Sequence, residues 1–145
     1  MAVKNEDLVR RWFSEVWDQG RESAIDELLA SDALVHGLGE PAGEVRGPEG
    51  FKPFLRKFQS AFTDIQITVE QTIAEEDWVA SRWTARMTHR GDQLGVPATG
   101  RRVEVTGMSM GRFQGGKMVE AWNSWDQLAL MEQTKALTRQ VHLLS

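Results

Sequence analysis

The chain has 145 residues, the size of one domain with a buried core. Its 17 Lys and Arg against 21 Asp and Glu leave a formal net charge of -4, and no dense basic run points to nucleic acid. Zero cysteines exclude disulfides, thiolate catalysis and thiolate metal sites, and no run approaches the roughly 18 apolar residues of a membrane span. The first residues, MAVKNEDLVRRW, are charged and lack a signal-type apolar stretch, so the expectation is a soluble, cytoplasmic single domain over residues 1–145.

In chain order, Leu8, Val9, Trp12, Phe13, Val16 and Trp17 repeat on one helical face, and Gly20 is placed to end that helix. A second short helix is expected at about Arg21–Ala30, with Ile25, Leu28 and Leu29 inward. Asp32–His36 reads as a short extended piece, followed by a Gly/Pro-rich loop through Gly47. Pro48 suits the first turn of a third helix, which presents Phe51, Phe54, Leu55, Phe58 and Phe62 as a buried face.

After Asp64 the period becomes alternating. Ile65, Ile67 and Val69 mark one strand, and Glu75-Glu76-Asp77 turns the chain. Trp78–His89 follows as a strand with two unlike faces, Trp78, Ala80, Arg82, Thr84, Arg86 and Thr88 against Val79, Ser81, Trp83, Ala85, Met87 and His89. A glycine-bearing loop through Gly100 leads to Val103–Phe113, joined by Gln114-Gly115-Gly116 to Met118–Trp125 as a hairpin. A last amphipathic stretch, about Gln127–Gln140, carries Leu130, Leu137 and Val141 on one side.

Helices first and antiparallel strands after predict an α+β fold, with helices on one face of a curved sheet. A strongly twisted sheet wrapped on helices leaves a cone, and such a cone holds a small apolar ligand. Asp126, closing the aromatic-rich segment GGKMVEAWNSWD, has two readings: a carboxyl in an apolar wall serving as acid or base, or the N-cap of the last helix. Tyrosine is absent, so any donor to an enolate must be Trp, Ser/Thr, Arg, His or a protonated carboxyl.

Several pieces in order resemble the SnoaL-like polyketide cyclases of the NTF2-like superfamily. These are Leu34-Val35-His36, Ala61-Phe62-Thr63-Asp64, Trp83-Thr84-Ala85, Thr88-His89-Arg90-Gly91, Pro97-Ala98-Thr99-Gly100-Arg101 and Gly116–Trp122 with Asp126. The resemblance covers about residues 5–135. It implies a cone-shaped α+β barrel, with three N-terminal helices packed on a curved, mainly antiparallel sheet of four to six strands. It also implies a cofactor-free acid/base enzyme that closes a ring by intramolecular aldol condensation on a polyketide ester, with a pocket Asp near the end of the last strand, here Asp126. A homodimer through the sheet fits the family as well.

The candidate residues follow from both lines. Asp126 is the acid/base candidate, and His36 and His89 are imidazoles able to donate or to titrate near neutral pH. Arg82, mid-strand, is expected to pair with Glu104 or Asp126 or to reach the surface. Trp122 shares strand parity with Asp126 if no bulge intervenes, making it the candidate aromatic pocket wall, with Phe58 and Met110 as further apolar lining. Three separated histidines give no metal-ligand spacing, and the Gly-rich pieces lack the context of a phosphate or dinucleotide site. The stretch Met108–Arg112 is mostly apolar where cyclases of this family carry polar residues including His. It supports the rival reading, a non-catalytic binder of a small hydrophobic molecule.

Overall fold

The computed structural model describes residues 4–38, 43–91 and 97–134. Helix α1 (Asn5–Arg11) runs without a break into a π-helical segment, Trp12–Asp18, then α2 (Glu22–Leu28), β1 (Leu29–His36) and β2 (Glu44–Arg46). Next come α3 (Gly47–Ala61), β3 (Phe62–Glu75), β4 (Trp78–His89), β5 (Arg102–Gln114), β6 (Lys117–Trp125) and α4 (Gln127–Gln133). The six strands form one sheet in the order β2-β1-β6-β5-β4-β3, antiparallel throughout except where β1 lies parallel to β6. The α+β expectation is met, with helices before the main strands as the change in period indicates.

Several bounds differ from the sequence reading. Strand β1 begins at Leu29, where the second helix was expected to continue, because Leu29 and Ala33 are wholly buried along an extended chain. Glu44–Arg46, expected as loop, is a short edge strand that pairs antiparallel with β1. The first helix keeps its apolar face but widens to π geometry, with Trp12, Phe13 and Val16 buried. Such segments recur at functional sites. Leu137, Val141 and His142 lie outside the described residues.

The core sits between α1, the π-helical segment, α2 and α3 on one side and the inner face of the sheet on the other. In α3, Phe51 and Leu55 are fully buried, a burial worth roughly 1.5–3 kcal/mol for each such side chain. Trp17 meets Phe51, Phe54 and Phe58 edge-on at 6.0, 6.1 and 5.4 Å between ring centroids, fixing the helices to each other by aromatic contacts. Among the described residues no helix is long and apolar enough to cross a membrane.

Candidate functional site

The register of the three central strands sets the site. Residues directly opposite one another share a face, so the pairings of β4, β5 and β6 stack inner-face rungs one above the next. From one end these are Val79–Gly111–Ala121, then Ser81–Ser109–Asn123, then Trp83–Gly107–Trp125. They wall a cavity of about 100 Å³ whose remaining lining is apolar, including Phe13 and Trp17 of the π-helical segment and Phe58 of α3. Phe58 thus lines the cavity.

One rung of this apolar cavity is polar. Trp83 Nε1–H donates to Ser109 Oγ at 3.0 Å, and Ser109 Oγ–H donates to Asn123 Oδ1 at 2.7 Å. Asn123 Nδ2 donates to the carbonyl of His36 at 3.0 Å, and Ser81 Oγ donates to the Ser109 carbonyl at 3.4 Å. The chain's own geometry makes the rung possible. A Cβ on Gly107 would lie 2.4 Å from the Trp83 ring and 2.8 Å from Trp125 Cβ, so only glycine lets the indole lie across β5 toward Ser109. At the other end, a Cβ on Gly37 would lie 1.9 Å from the Asn123 carbonyl, and this glycine lets the chain after β1 close on β6.

No side chain that ionises near neutral pH is among the described lining residues. Of the two readings open for Asp126, a pocket carboxyl and an N-cap, the structure has the cap: the residue is exposed and its carboxylate accepts from Ala129 N–H at 2.9 Å at the start of α4. Trp122 is also on the other face, for a definite reason. The register slips between Arg112 and Phe113 of β5 and their partners Glu120 and Met118, leaving Val119 as an extra residue in β6. Counting by twos from the buried Met118 would send Trp122 inward. The bulge shifts the phase, so Ala121, Asn123 and Trp125 face the cavity instead.

The outer face gathers most of the other candidates. Ile73, Ala80, Met110, Trp122 and His36 form one rung across five strands. Trp122 stacks between His36 at 5.3 Å and Trp78 at 5.5 Å. His36 does not face the cavity; its Nε2 lies 2.7 Å from Glu120 and its Nδ1 2.9 Å from Glu44, so it bridges β1, β2 and β6. Met110 borders both the cavity and the outer groove, with a half-exposed side chain. Arg82 lies in that groove beside Met108 rather than in the cavity. Of the readings for Arg82, a pair with Glu104 or Asp126 or a reach to the surface, its exposed position matches the last; Glu104 pairs with Arg86 at 2.7 Å, because Arg86 and not Arg82 is opposite it in the register. Met108, at 60 % exposure, is no part of the inner wall; of this stretch, Ser109 supplies the polar rung and Gly111 the rung beside it.

His89 is wholly buried at the end of β4, its ring 5.4 Å from Phe62, and does not line the cavity. Thr99 N–H donates to its Nδ1 at 3.3 Å, which places the ring proton on Nε2, an atom with no hydrogen-bond partner among the described residues. Among the described residues no group of three His, Asp or Glu is placed to hold a metal.

Two carboxyls of the π-helical segment are shifted in opposite directions. Glu15 is held below its ordinary value by hydrogen bonds and charge from Arg11 and Arg21. Asp18 is pushed up by loss of solvent, opposed by the hydrogen bond it accepts from Ile67 N–H at 2.7 Å. The sequence reading missed Ser109 and Asn123. Ser81 and Trp83 did stand together on the correct face of β4, a signal of the polar rung, whereas the bulge at Val119 hid Asn123.

The comparisons with known proteins agree with this architecture. A profile of the family described as SnoaL-like polyketide cyclase matches residues 7–134. The aklanonic acid methyl ester cyclases DauD of Streptomyces sp. (strain C5) and DnrD of Streptomyces peucetius are each 32% identical over 114 residues. Those alignments cover 77% of this chain, and 70% of DauD and 77% of DnrD. IdmH from Streptomyces antibioticus superposes with a TM-score of 0.79 at 30% identity, covering 90% of this chain and 98% of IdmH. TsrD from Streptomyces laurentii gives 0.79 at 27% identity, covering 92% and 96%. The cone closed by helices, the match over nearly all described residues and the identity to two cyclases place this chain in the SnoaL-like polyketide cyclase family.

Proposed function

We propose that this chain takes an uncharged, hydrophobic carbonyl compound of the polyketide type into the cavity and closes a ring on it by cofactor-independent, aldol-type chemistry. The observation that carries the reading is the single polar rung, Ser81–Ser109–Asn123 with Trp83, set in walls that are otherwise apolar. Apolar walls fold and desolvate a flexible substrate, and a fixed neutral donor stabilises the oxygen on which charge develops. The reaction is proton-neutral overall: the attacking carbon loses a proton, the new carbon–carbon bond forms, and the resulting alkoxide takes a proton. The described lining offers no carboxylate or imidazole for this transfer. In this reading the proton passes through water admitted with the substrate, from a carbon already acidified by two flanking carbonyls.

That same absence favours a second reading, a non-catalytic binder of the same class of compound. The two separate cleanly with aklanonic acid methyl ester, the compound named for the two relatives. Conversion to a cyclised isomer of unchanged mass, faster than in buffer, supports the enzyme. Stoichiometric binding without conversion supports the binder.

A second copy of the chain is the proposed partner of the outer face. Ile73, Trp78, Met108, Met110 and Trp122 are exposed together there and border or flank a groove of about 440 Å³, more contiguous apolar surface than scattered exposed side chains present.

A further inference from the structure

The polar rung has a direction, and it leaves one donor over. Asn123 Nδ2 is the nitrogen of its amide because it approaches a carbonyl oxygen, that of His36, which can only accept. Its Oδ1 then faces Ser109, whose hydroxyl hydrogen is free to donate because its oxygen already accepts from Trp83 Nε1–H. The His36 carbonyl thus fixes which way the amide faces, and Ser109, held by Trp83, donates to the oxygen left on the other side. The series N–H to O–H to C=O also draws electron density from the amide nitrogen, and such chains strengthen their last donor. An amide nitrogen carries two hydrogens. One goes to His36, and the second has no acceptor among the described residues, in a side chain that lines the cavity.

We propose that Asn123 is the residue that recognises the ligand, presenting its second amide hydrogen to an uncharged carbonyl oxygen, with Ser109 and Trp83 as positioning residues. This deepens the reading of the cavity given above and rests on its being a ligand site. It names the ligand by chemistry: a planar or ring-bearing ketone or ester, preferred over a hydrocarbon of the same shape. It also disfavours the free acid, because a carboxylate entering these walls meets no cation among the described lining residues to replace its water.

The test is calorimetric binding of three probes of nearly one shape, 1-indanone, indane and indane-1-carboxylate, to the full chain. The wild type is expected to bind indanone about twofold to tenfold more tightly than indane, the span of one net hydrogen bond, and the carboxylate least. Asn123→Leu is expected to bring the indanone-to-indane ratio to about one. Ser109→Ala leaves Asn123 in place and is expected to lower that ratio at least about twofold with indane affinity retained, a change that loss of packing alone does not produce. An unchanged ratio in Ser109→Ala or in Asn123→Leu overturns the proposal, and so does equal binding of indane and indanone to the wild type. Binding of neither hydrocarbon nor ketone overturns the ligand site and this inference together. A ketone preference without conversion of the methyl ester leaves the inference standing and removes only the catalytic reading.

Discussion

The inner and outer faces of β4, β5 and β6 come from the same three strands, one residue apart, and they are built to opposite rules. The inner face puts small residues beside large ones, Gly107 between Trp83 and Trp125, and the polar side chains that line the cavity are gathered in one hydrogen-bonded rung with the Trp83 indole. The outer face carries Met108, Met110, Trp122 and Arg82 in the open, along a groove. A face that must enclose a ligand needs complementary volumes and satisfied polar atoms, since buried errors of either kind are costly. A face that meets solvent or a second copy needs only a broad apolar area.

That difference is broken most severely from inside. In Gly107→Val the new Cβ would meet the Trp83 and Trp125 side chains well within contact distance, and both rings are held on neighbouring strands. Overpacking of this kind is expected to cost ~3 kcal/mol of unfolding free energy, read by urea denaturation. A loss within ~0.5 kcal/mol would mean that the indole of Trp83 is free to swing away and that the rung is not fixed. The outer face is tested by the double variant Met108→Glu with Met110→Glu. If two copies meet there, burying glutamates should weaken the dimer by about 2 kcal/mol, roughly 30-fold in Kd by sedimentation equilibrium. The same variant is expected to change monomer stability by no more than ~0.5 kcal/mol. A wild type that sediments as a monomer would end the dimer reading.

The two faces were not equally legible in the sequence. In β4 the inner set, Val79, Ser81, Trp83, Ala85, Met87 and His89, could be read by strict alternation, because no irregularity interrupts its pairing with β5. In β6 the same rule fails at Val119, where one extra residue exchanges Trp122 for Asn123 as the residue facing the cavity. A bulge depends on hydrogen bonding between strands and leaves little mark in one strand's composition. The helices were legible because apolar periodicity reports burial directly, though not the π winding of Trp12–Asp18. The role of Asp126 was ambiguous for another reason. A cap and a pocket carboxyl share the same local sequence, and only the direction of the side chain separates them.

Asp126 belongs to the outer side of the comparison, and its removal sharpens the contrast. Asp126→Ala loses the hydrogen bond to Ala129 N–H, and a lost cap of this type costs ~1 kcal/mol. The expected result is a small fall in denaturation midpoint with probe binding in the cavity unchanged. A variant that keeps its stability and probe affinity but no longer converts the methyl ester would instead give this carboxylate a part in proton transfer.

The smallest expected effect lies at the sheet edge, where the helices are pinned over the cavity. Asp18 and Glu15 are three residues apart on the π-helical segment, with shifts of opposite sign. For Asp18 the folded value lies above the ordinary 3.8, so between the two values the folded state holds more proton than the unfolded state. Its contribution to stability is therefore full below pH 3.8 and declines as the pH rises through the folded value. Glu15, lowered from 4.5 by Arg11, behaves in reverse: its contribution is present above pH 4.5 and is lost as the pH falls through the folded value. Asp18→Asn keeps an oxygen for Ile67 N–H but carries no charge to desolvate. At pH 7 it is expected to be more stable than the wild type, by no more than ~0.5 kcal/mol because the carboxyl retains contact with water. That advantage should shrink to nothing below about pH 3.8, whereas Glu15→Gln should be less stable at neutral pH and converge on the wild type in acid. If Asp18→Asn is less stable at pH 7, the charged carboxylate gains more from the edge strand's N–H than it loses in water. The edge would then be held by charge as well as by geometry.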